Sequence, residues 1–315
     1  MLNLSLEEKV SQLLSKGGSI SLKIDGFETR ESQLEMALEI SKAIKQKKSL
    51  VAEAGTGTGK TFAYLVPALL SGKKVIISTA TKTLQEQLLT KDIPFLFDMC
   101  GVEGKARLLK GRENYLCPQR LEIAETAEQN TKSVWKKLAL INEWKDKTKT
   151  GDKAELTTID ENDPIWARVS ARLEFCQANG CNAESGCFYP KMKQKASEAQ
   201  ILVVNHHLFS ADLSMSDKGF GEVLPEADIY IFDEAHQLPD IAAQFLGFSV
   251  SRSQLDELAR DIRQAQKEDS PESVEINDQV KLFETHIQKF NILLGKWEKR
   301  WLWEAFSKET AAIKA

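Results

Sequence analysis

The feature that most constrains this chain is a glycine-rich segment that reads Ala54-Gly55-Thr56-Gly57-Thr58-Gly59-Lys60-Thr61. It follows the short apolar run 49–53, and its spacing matches a phosphate-binding loop except that Ala54 replaces the first glycine. In such a loop the backbone N–H groups surround the phosphates of ATP, the lysine reaches the β- and γ-phosphates, and the final threonine binds Mg²⁺. The segment therefore predicts a strand over 49–53, a tight turn, and a helix that begins near Lys60.

A second motif, Asp233-Glu234-Ala235-His236, follows the apolar run 228–232. An acid at the end of a buried strand lies where nucleotide-bound Mg²⁺ needs a further contact, so we assign Asp233 to the metal and Glu234 to the attacking water. Together the two motifs predict an ATP hydrolase. Its predicted catalytic residues are Lys60, Asp233, Glu234 and His236.

Strand-like apolar runs at 74–78, 201–205 and 228–232 alternate with helical patterns. This alternation predicts an α/β fold with a parallel sheet and helices on both faces, in which the active site lies at the carboxyl ends of the strands. The pattern breaks between about 100 and 200, which indicates an insertion. After about 248 the sequence becomes helical, with an apolar stripe formed by Val280, Phe283, Ile287, Phe290, Leu294, Trp297 and Trp301.

Composition narrows the class of protein. The net charge of −4 excludes a general basic field, so any contact with nucleic acid must come from a local patch. Glu7 and Glu8 argue against a secretory signal, and no apolar run approaches the roughly 20 residues of a membrane span. We therefore expect a cytoplasmic protein without a membrane segment. In that reducing compartment a cysteine cluster favours metal binding or catalysis over disulfides.

Four cysteines, Cys117, Cys176, Cys181 and Cys187, are candidate metal ligands. Four thiolates can hold a 4Fe–4S cluster or a tetrahedral zinc ion, and spacing alone leaves both open. Cys100 lies in apolar sequence and is predicted to be a spectator. The neighbouring basic residues are Lys105, Arg107, Lys110, Arg112, Arg120, Lys191, Lys193 and Lys195.

This basic patch predicts contacts with nucleic-acid phosphates, because lysine and arginine neutralise phosphates and release counterions. Tyr115 and Tyr189 lie within it and are candidates for stacking on bases. The alternative is that these charges form an ordinary solvated surface.

The two nucleotide motifs resemble those of superfamily-two helicases, and further segments resemble the iron–sulfur helicases of the XPD/DinG type. The resembling segments are 27–33, 77–87, 110–117 and 203–209. In that family the first recognises adenine and the second touches the DNA backbone. The resemblance implies nucleotide contacts by Phe27, Arg30, Gln33, Ala54, Gly55, Thr56, Gly57, Thr58, Gly59, Lys60, Thr61 and Asp233. It implies DNA contacts by Lys110, Arg112, Tyr115, Thr79 and Lys82.

The resemblance also implies a RecA-like P-loop motor domain, an ATP-dependent DNA helicase of 5′→3′ polarity, and a role in DNA repair or replication. The implied cofactors are ATP, Mg²⁺ and a 4Fe–4S cluster on the four cysteines. The implied partners are single-stranded DNA or a DNA fork and a replication or repair protein. The expected divisions are 1–99 and 198–247 for the motor domain, 100–197 for the iron–sulfur insertion, and 248–315 for the start of a helical arch.

A helicase of this kind needs a second motor domain that supplies an arginine to the transition state. No Gly-Arg-x-x-Arg stretch follows residue 250, so we expect an amino-terminal portion of a longer protein. Two other readings stay open: a nucleotide-dependent DNA-binding module without motor activity, and a zinc-stapled ATPase that is not a helicase. We interpret His206 and His207 as structural or coupling residues rather than a metal pair, because adjacent positions on an extended chain point to opposite sides.

Overall fold

The computed structural model describes the greater part of the chain. The described residues are 4–23, 28, 30–55, 57–127, 130–173, 175–176, 182, 186–217, 223–246, 252–269 and 273–294. The chain divides into two compact units, Met1–Leu246 and Gly247–Ala315, and each is described by itself.

A four-stranded sheet organises the first unit. Its strands are β1 Val75–Thr79, β2 Ala106–Leu108, β3 Ile201–Asn205 and β4 Ile229–Phe232, and they stand in the order β2-β3-β1-β4. Every pairing is parallel. The predicted α/β class with a parallel sheet is confirmed, and the carboxyl ends of β1, β3 and β4 meet at one edge.

Helices cover both faces of the sheet. The α-helices before β3, in chain order, are α1 Leu6–Leu14, α2 Ser19–Lys23, α3 Glu31–Gln46, α4 Lys60–Leu70, α5 Lys82–Gln87, α6 Ile93–Cys100, α7 Pro118–Glu125, α8 Lys132–Lys145, α9 Ile165–Val169 and α10 Phe188–Ser197. After β3 come α11 His206–Asp217 and α12 Leu238–Leu246. A π-helical turn, Leu88–Asp92, joins α5 to α6.

The alternation of side chains along β1 and β3 creates two cores. Val75 and Ile77 pack with helices α1, α3, α4 and α6, whereas Ile76 packs on the other face with α10 and α11. Successive residues of a strand point to opposite faces, so a strand that is apolar throughout is buried on both sides. All five residues of β1 are buried, as this pattern requires.

The predicted strand over 49–53 is wrong. Residues 49–55 form no regular structure, with Leu50 43% and Val51 97% exposed. An apolar run becomes a strand only where a neighbour satisfies its backbone N–H and C=O groups, and the described sheet ends at β4. The short strand β2 was not predicted; it lies inside the segment assigned to the insertion, yet it pairs with β3.

The segment that bears the cysteines has an apolar core of its own. Helices α7, α8 and α9 surround Leu121, Leu138 and Ile141, and the rings of Trp144 and Trp166 meet edge to face with centroids 6.1 Å apart. This core is separate from the two cores of the sheet, whereas α10 of the same segment packs on the sheet through Tyr189 and Met192.

In the second unit the described residues form the helices α13 Arg252–Asp269 and α14 Val274–Leu294. The Arg263 guanidinium donates two hydrogen bonds to the Glu284 carboxylate, at 3.0 and 2.6 Å, and so joins them. Val280 and Ile287 of the predicted apolar stripe are buried. Trp297 and Trp301 lie outside the described residues. Within the described part of the chain, no helix has the length and apolar content to cross a membrane.

Candidate functional site

The phosphate-binding loop lies between the irregular segment 49–55 and helix α4. Gly57 and Gly59 have φ values of 76° and 81°, a left-handed conformation that glycine adopts without steric cost. Gly59 is the residue before α4, so the unpaired N–H groups at the helix N-terminus face the loop. The Thr58 hydroxyl donates to the Gly55 carbonyl at 2.9 Å and closes the turn. Thr56 lies outside the described residues.

Gln33 braces this loop from helix α3. Its side-chain amide donates to the carbonyl of Gly59 at 3.0 Å, and the residue is 5% exposed. The packing is close, because a Cβ atom added at Gly59 would lie 2.0 Å from Gln33 Nε2. Arg30 is also beside the loop, with Nη1 3.9 Å from the Cβ position of Gly57. Phe27, the third residue predicted to contact adenine, lies outside the described residues.

The acidic motif reaches the loop from the end of β4. Lys60 Nζ lies 3.3 Å from Glu234 Oε1, with the two side chains 29% and 32% exposed. His236 Nδ1 lies 3.4 Å from Glu234 Oε2, and its side chain is 70% exposed. The structure thus brings together three of the predicted catalytic residues around one carboxylate.

Asp233, the residue before Glu234, has a partly buried carboxyl group. Burial, followed by the neighbouring charge of Glu234, raises the pKa of its carboxyl group above the ordinary value. The Tyr64 hydroxyl donates to Asp233 Oδ2 at 3.3 Å and also interacts with the side chain of Thr61. Asp233 and Thr61, the two predicted Mg²⁺ ligands, therefore share one polar neighbour.

Tyr64 was not predicted from the sequence. A signal exists nonetheless, since Tyr64 stands four residues after Lys60 on the same face of α4. Its burial and the charge of Asp233 raise the pKa of the phenol well above the usual range, so the hydroxyl remains a donor at neutral pH.

Glu234 carries backbone strain. Its φ of 55° places a residue with a full side chain in the left-handed region, which is uncommon outside glycine and costs of order 1–3 kcal/mol. Such conformations persist where surrounding contacts over-determine them. The turn directs the Glu234 carboxylate toward Lys60.

The cysteines occupy two kinds of position. Cys117 and Cys187 are buried, and they immediately precede helices α7 and α10. A helix N-terminus favours the thiolate form that binds metals. Cys176 is half-buried. Burial raises the pKa of the Tyr189 phenol, and the charge of Cys176 adds a smaller contribution in the same direction. Cys181 lies outside the described residues. Among the residues that the structure describes, no three potential metal ligands converge.

Cys100 differs from the other cysteines. It ends helix α6, and burial raises the pKa of its thiol to about 11, so the thiol stays protonated at neutral pH. A protonated thiol is a poor metal ligand. This position agrees with the prediction of a spectator.

Two residues predicted to touch DNA are buried. Tyr115 is 1% exposed, and its hydroxyl accepts a hydrogen bond from the Lys110 backbone N–H at 3.0 Å. The Lys110 ammonium lies 2.6 Å from Asp152 Oδ2, with side-chain exposures of 7% and 16%. Both side chains are buried and make contacts inside the protein, so neither is accessible to DNA in this structure. Tyr189 is likewise 5% exposed, so base stacking by either tyrosine is not available here.

Arg112 lies over the aromatic pair. Its guanidinium carbon is 4.6 Å from the centroid of the Tyr189 ring, a cation–π geometry, and that ring packs against Tyr115 at 5.7 Å. The aromatic residues that were predicted to bind bases instead support the arginine that was predicted to bind phosphate.

The segment at the end of β1 that was predicted to touch the DNA backbone also contains one buried and one exposed residue. Thr79 is fully buried, and its hydroxyl has no hydrogen-bond partner among the described residues. Lys82 begins helix α5, is more than half exposed, and pairs with Glu161 of the cysteine-bearing segment. Lys82 and Arg112 are thus the predicted DNA contacts whose charges reach the surface.

Comparison with known proteins identifies the type of domain. A DEAD/DEAH box helicase model matches residues 35–168. The chain is 42% identical over 311 residues to the ATP-dependent DNA helicase YoaA of Haemophilus influenzae, covering 98% of this chain and 49% of that protein. It is 41% identical over 280 residues to YoaA of Escherichia coli, covering 89% of this chain and 44% of that protein.

A more distant relative is the ATP-dependent DNA helicase DinG of Photobacterium profundum. It is 32% identical over 268 residues, which cover 78% of this chain and 37% of that protein. The chain spans about half the length of the YoaA proteins that it matches. The resemblance predicted from the motifs is confirmed. The chain therefore carries a DEAD/DEAH box helicase domain related to those of the YoaA and DinG helicases.

Proposed function

We propose that the protein is an ATP-dependent DNA helicase and that this chain supplies its ATP-binding part together with a single-stranded DNA contact surface. The observation that carries the proposal is the 3.3 Å approach of Lys60 to Glu234. It joins the phosphate-binding loop to the acidic motif at the carboxyl edge of the sheet, where ligands of α/β proteins bind. The YoaA and DinG relatives, named as ATP-dependent DNA helicases, support the same function.

The residues divide the chemistry among them. The N–H groups of the loop and of the α4 N-terminus bind the phosphates, and Lys60 exchanges the Glu234 carboxylate for phosphate oxygens. Bound Mg²⁺ neutralises charge on the phosphates, with Thr61 and Asp233 as its protein ligands. Glu234, released from Lys60, orients the attacking water, and His236 beside it completes the motif.

A 4Fe–4S cluster held by Cys117, Cys176, Cys181 and Cys187 is the proposed second cofactor. Two thiols are buried at helix N-termini that favour thiolates, and Cys176 lies on the same segment. When bound, the cluster covalently ties the segments that carry its ligands. The proposal includes a cytoplasmic location, because thiols stay reduced in that compartment and remain available as metal ligands. Zinc on the same ligands is the alternative.

Single-stranded DNA is the proposed polymer substrate, with phosphates bound at Arg112 and Lys82. Lys82 is exposed, and Arg112 is half-buried over the Tyr189 ring. Polarity of 5′→3′, a DNA fork as substrate, a role in repair or replication, and a protein partner from those processes complete the proposal by family resemblance.

The test is binding of a fluorescent ATP analogue, with and without Mg²⁺, together with binding of single-stranded DNA. Lys60→Ala should abolish nucleotide binding and leave DNA affinity within about twofold, because the two contacts lie on different elements. Unchanged nucleotide affinity in Lys60→Ala would overturn the assignment of the site.

A forked DNA substrate distinguishes a helicase from a nucleotide-dependent DNA-binding module. ATP-dependent strand separation supports the helicase; binding of both ligands without strand separation supports the module.

A further inference from the structure

His206 is a buried histidine that joins two strands of the sheet. It is the first residue of α11, directly after β3, and is fully buried, whereas the adjacent His207 is exposed. Its Nδ1 atom lies 2.7 Å from Ser78 Oγ on β1. Its Nε2 atom lies 2.9 Å from the backbone carbonyl oxygen of Asp233, which follows β4.

These two partners determine the tautomer. A carbonyl oxygen only accepts hydrogen bonds, so Nε2 carries the hydrogen and donates to Asp233. In this tautomer Nδ1 carries no hydrogen and is an acceptor. The Ser78 hydroxyl is therefore the donor to Nδ1.

Ser78 consequently holds both backbone polar groups of Asp233. Its own carbonyl accepts from the Asp233 N–H at 2.9 Å, and its hydroxyl reaches the Asp233 carbonyl through His206. This closed ring of contacts stabilises the backbone immediately before Glu234, the residue with positive φ. A strained residue needs such support to keep its side chain in place.

The same serine precedes the DNA-contact segment. Thr79 follows it as the last residue of β1, and Lys82 begins helix α5 three residues later. A displacement of this segment on binding a phosphate moves the end of β1, and with it the Ser78 hydroxyl. The ring can pass such a change to Asp233 because Ser78 and His206, which hold its backbone, are both fully buried.

We propose that His206 is a positioning residue that couples DNA bound at Lys82 to the nucleotide site, by holding the backbone of Asp233 through Ser78. The inference rests on the proposed function, since it requires that the chain bind both ATP and DNA. It requires no direct contact between His206 and either ligand.

Three variants separate the two halves of the link. His206→Gln places an amide N–H where Nε2 lies, so it keeps the bond to Asp233 and loses the bond from Ser78. His206→Asn keeps an acceptor at the Nδ1 position and loses the bond to Asp233. Ser78→Ala removes only the hydroxyl. Thermal unfolding establishes whether each variant is folded. If the two histidine variants do not fold, the result for Ser78→Ala decides the test.

The measurement is the affinity for a fluorescent ATP analogue with Mg²⁺, with and without saturating oligothymidylate. Coupling between two sites typically changes affinity about 5–150-fold. We expect Ser78→Ala and His206→Gln to bring the coupling factor close to one. His206→Asn should also weaken nucleotide binding itself, by about tenfold, and His206→Gln should restore most of that loss.

Two results overturn the link. Wild-type coupling in Ser78→Ala, in a protein that binds both ligands, removes the inference and leaves the proposed function intact. A spectrum of ¹⁵N-labelled histidine that shows His206 as the Nδ1–H tautomer removes it whether or not nucleotide binds. Failure of the wild type to bind nucleotide is instead a failure of the proposed function.

Discussion

Two lysine–carboxylate pairs mark the difference between the nucleotide edge and the cysteine-bearing segment. Lys60 and Glu234 are each about one-third exposed and lie 3.3 Å apart at the open edge of the sheet. Lys110 and Asp152 are 7% and 16% exposed and lie 2.6 Å apart in the interior. Both lysines belong to motifs of the resembling family. The difference in burial means that Lys60 can exchange its carboxylate partner for a ligand, whereas the pair of Lys110 and Asp152 is structural.

The energetics follow from the same contrast. A buried ammonium that loses its carboxylate retains the full cost of desolvation, whereas a partly exposed one is resolvated by water. Lys60 can therefore leave Glu234 for a phosphate at small cost. The Lys110 ammonium pairs with Asp152, and the backbone of Asp152 forms an antiparallel β-bridge with Tyr115. This lysine therefore helps to position Tyr115, which packs against the Tyr189 ring beneath Arg112.

The largest expected effect is loss of the proposed 4Fe–4S cluster from the cysteine-bearing segment. Cys117→Ser and Cys187→Ser should each remove the broad absorbance near ~400 nm and the bound iron of anaerobically purified protein, because a cluster needs its thiolates. Cys100→Ser is the matched control and should keep both, since its thiol is protonated and lies on α6. Stoichiometric zinc without iron in the wild type would show that the site is a zinc site.

The two lysine pairs predict a clear difference in stability. Lys110→Ala should lower the free energy of unfolding by about 3 kcal/mol, because it leaves the Asp152 carboxylate buried without its partner. Lys60→Ala should lower it by less than about 1 kcal/mol, since Glu234 is one-third exposed. Urea denaturation of both variants gives the comparison. Equal losses would mean that burial does not separate the two regions in the way proposed.

The nucleotide edge was the more predictable of the two regions. Its chemistry depends on glycines with positive φ and on acids at strand ends, and both leave a signal in the local sequence. The approach of Lys60 to Glu234 agrees with the two motifs acting at one site, although no described strand precedes the loop. The irregular segment 49–53 was missed because strand formation depends on a neighbour that local sequence cannot show.

In the cysteine-bearing segment the same reasoning was less successful. Tyr115 and Lys110 stand among basic residues in the sequence, so exposure was the natural expectation. Their burial results from a core built by α7, α8 and α9 and from Asp152, thirty-seven residues after Tyr115 in the printed sequence. A contact of that separation has no local pattern, and only the folded structure reveals it.

A smaller effect is expected at Gly59. In Gly59→Ala the φ of 81° carries a penalty of roughly 1–2 kcal/mol, and the new Cβ would lie 2.0 Å from Gln33 Nε2. The glutamine must then give up its hydrogen bond to the loop, so nucleotide affinity should fall by about tenfold.

The matched control for this loop variant is Gly72→Ala. Gly72 has a φ of 65°, and nothing lies within 4 Å of the added Cβ. It should show the backbone penalty alone, with unchanged nucleotide binding. Equal nucleotide affinity in both variants would show that Gln33 does not brace the loop. Thermal unfolding and titration with a fluorescent ATP analogue measure the two quantities.

The smallest and most specific effect is expected at Arg112, whose guanidinium is held over Tyr189. A side chain on a rigid support loses little entropy when it binds a phosphate. Arg112→Ala should therefore weaken single-stranded DNA binding and reduce the slope of log affinity against log salt by about one. Arg112→Lys should keep the slope, because it keeps the charge. Base sequence should hardly matter, since phosphates carry no sequence information. If Arg112→Ala retains its iron and the wild-type slope, the basic patch is solvated surface and the DNA path lies elsewhere.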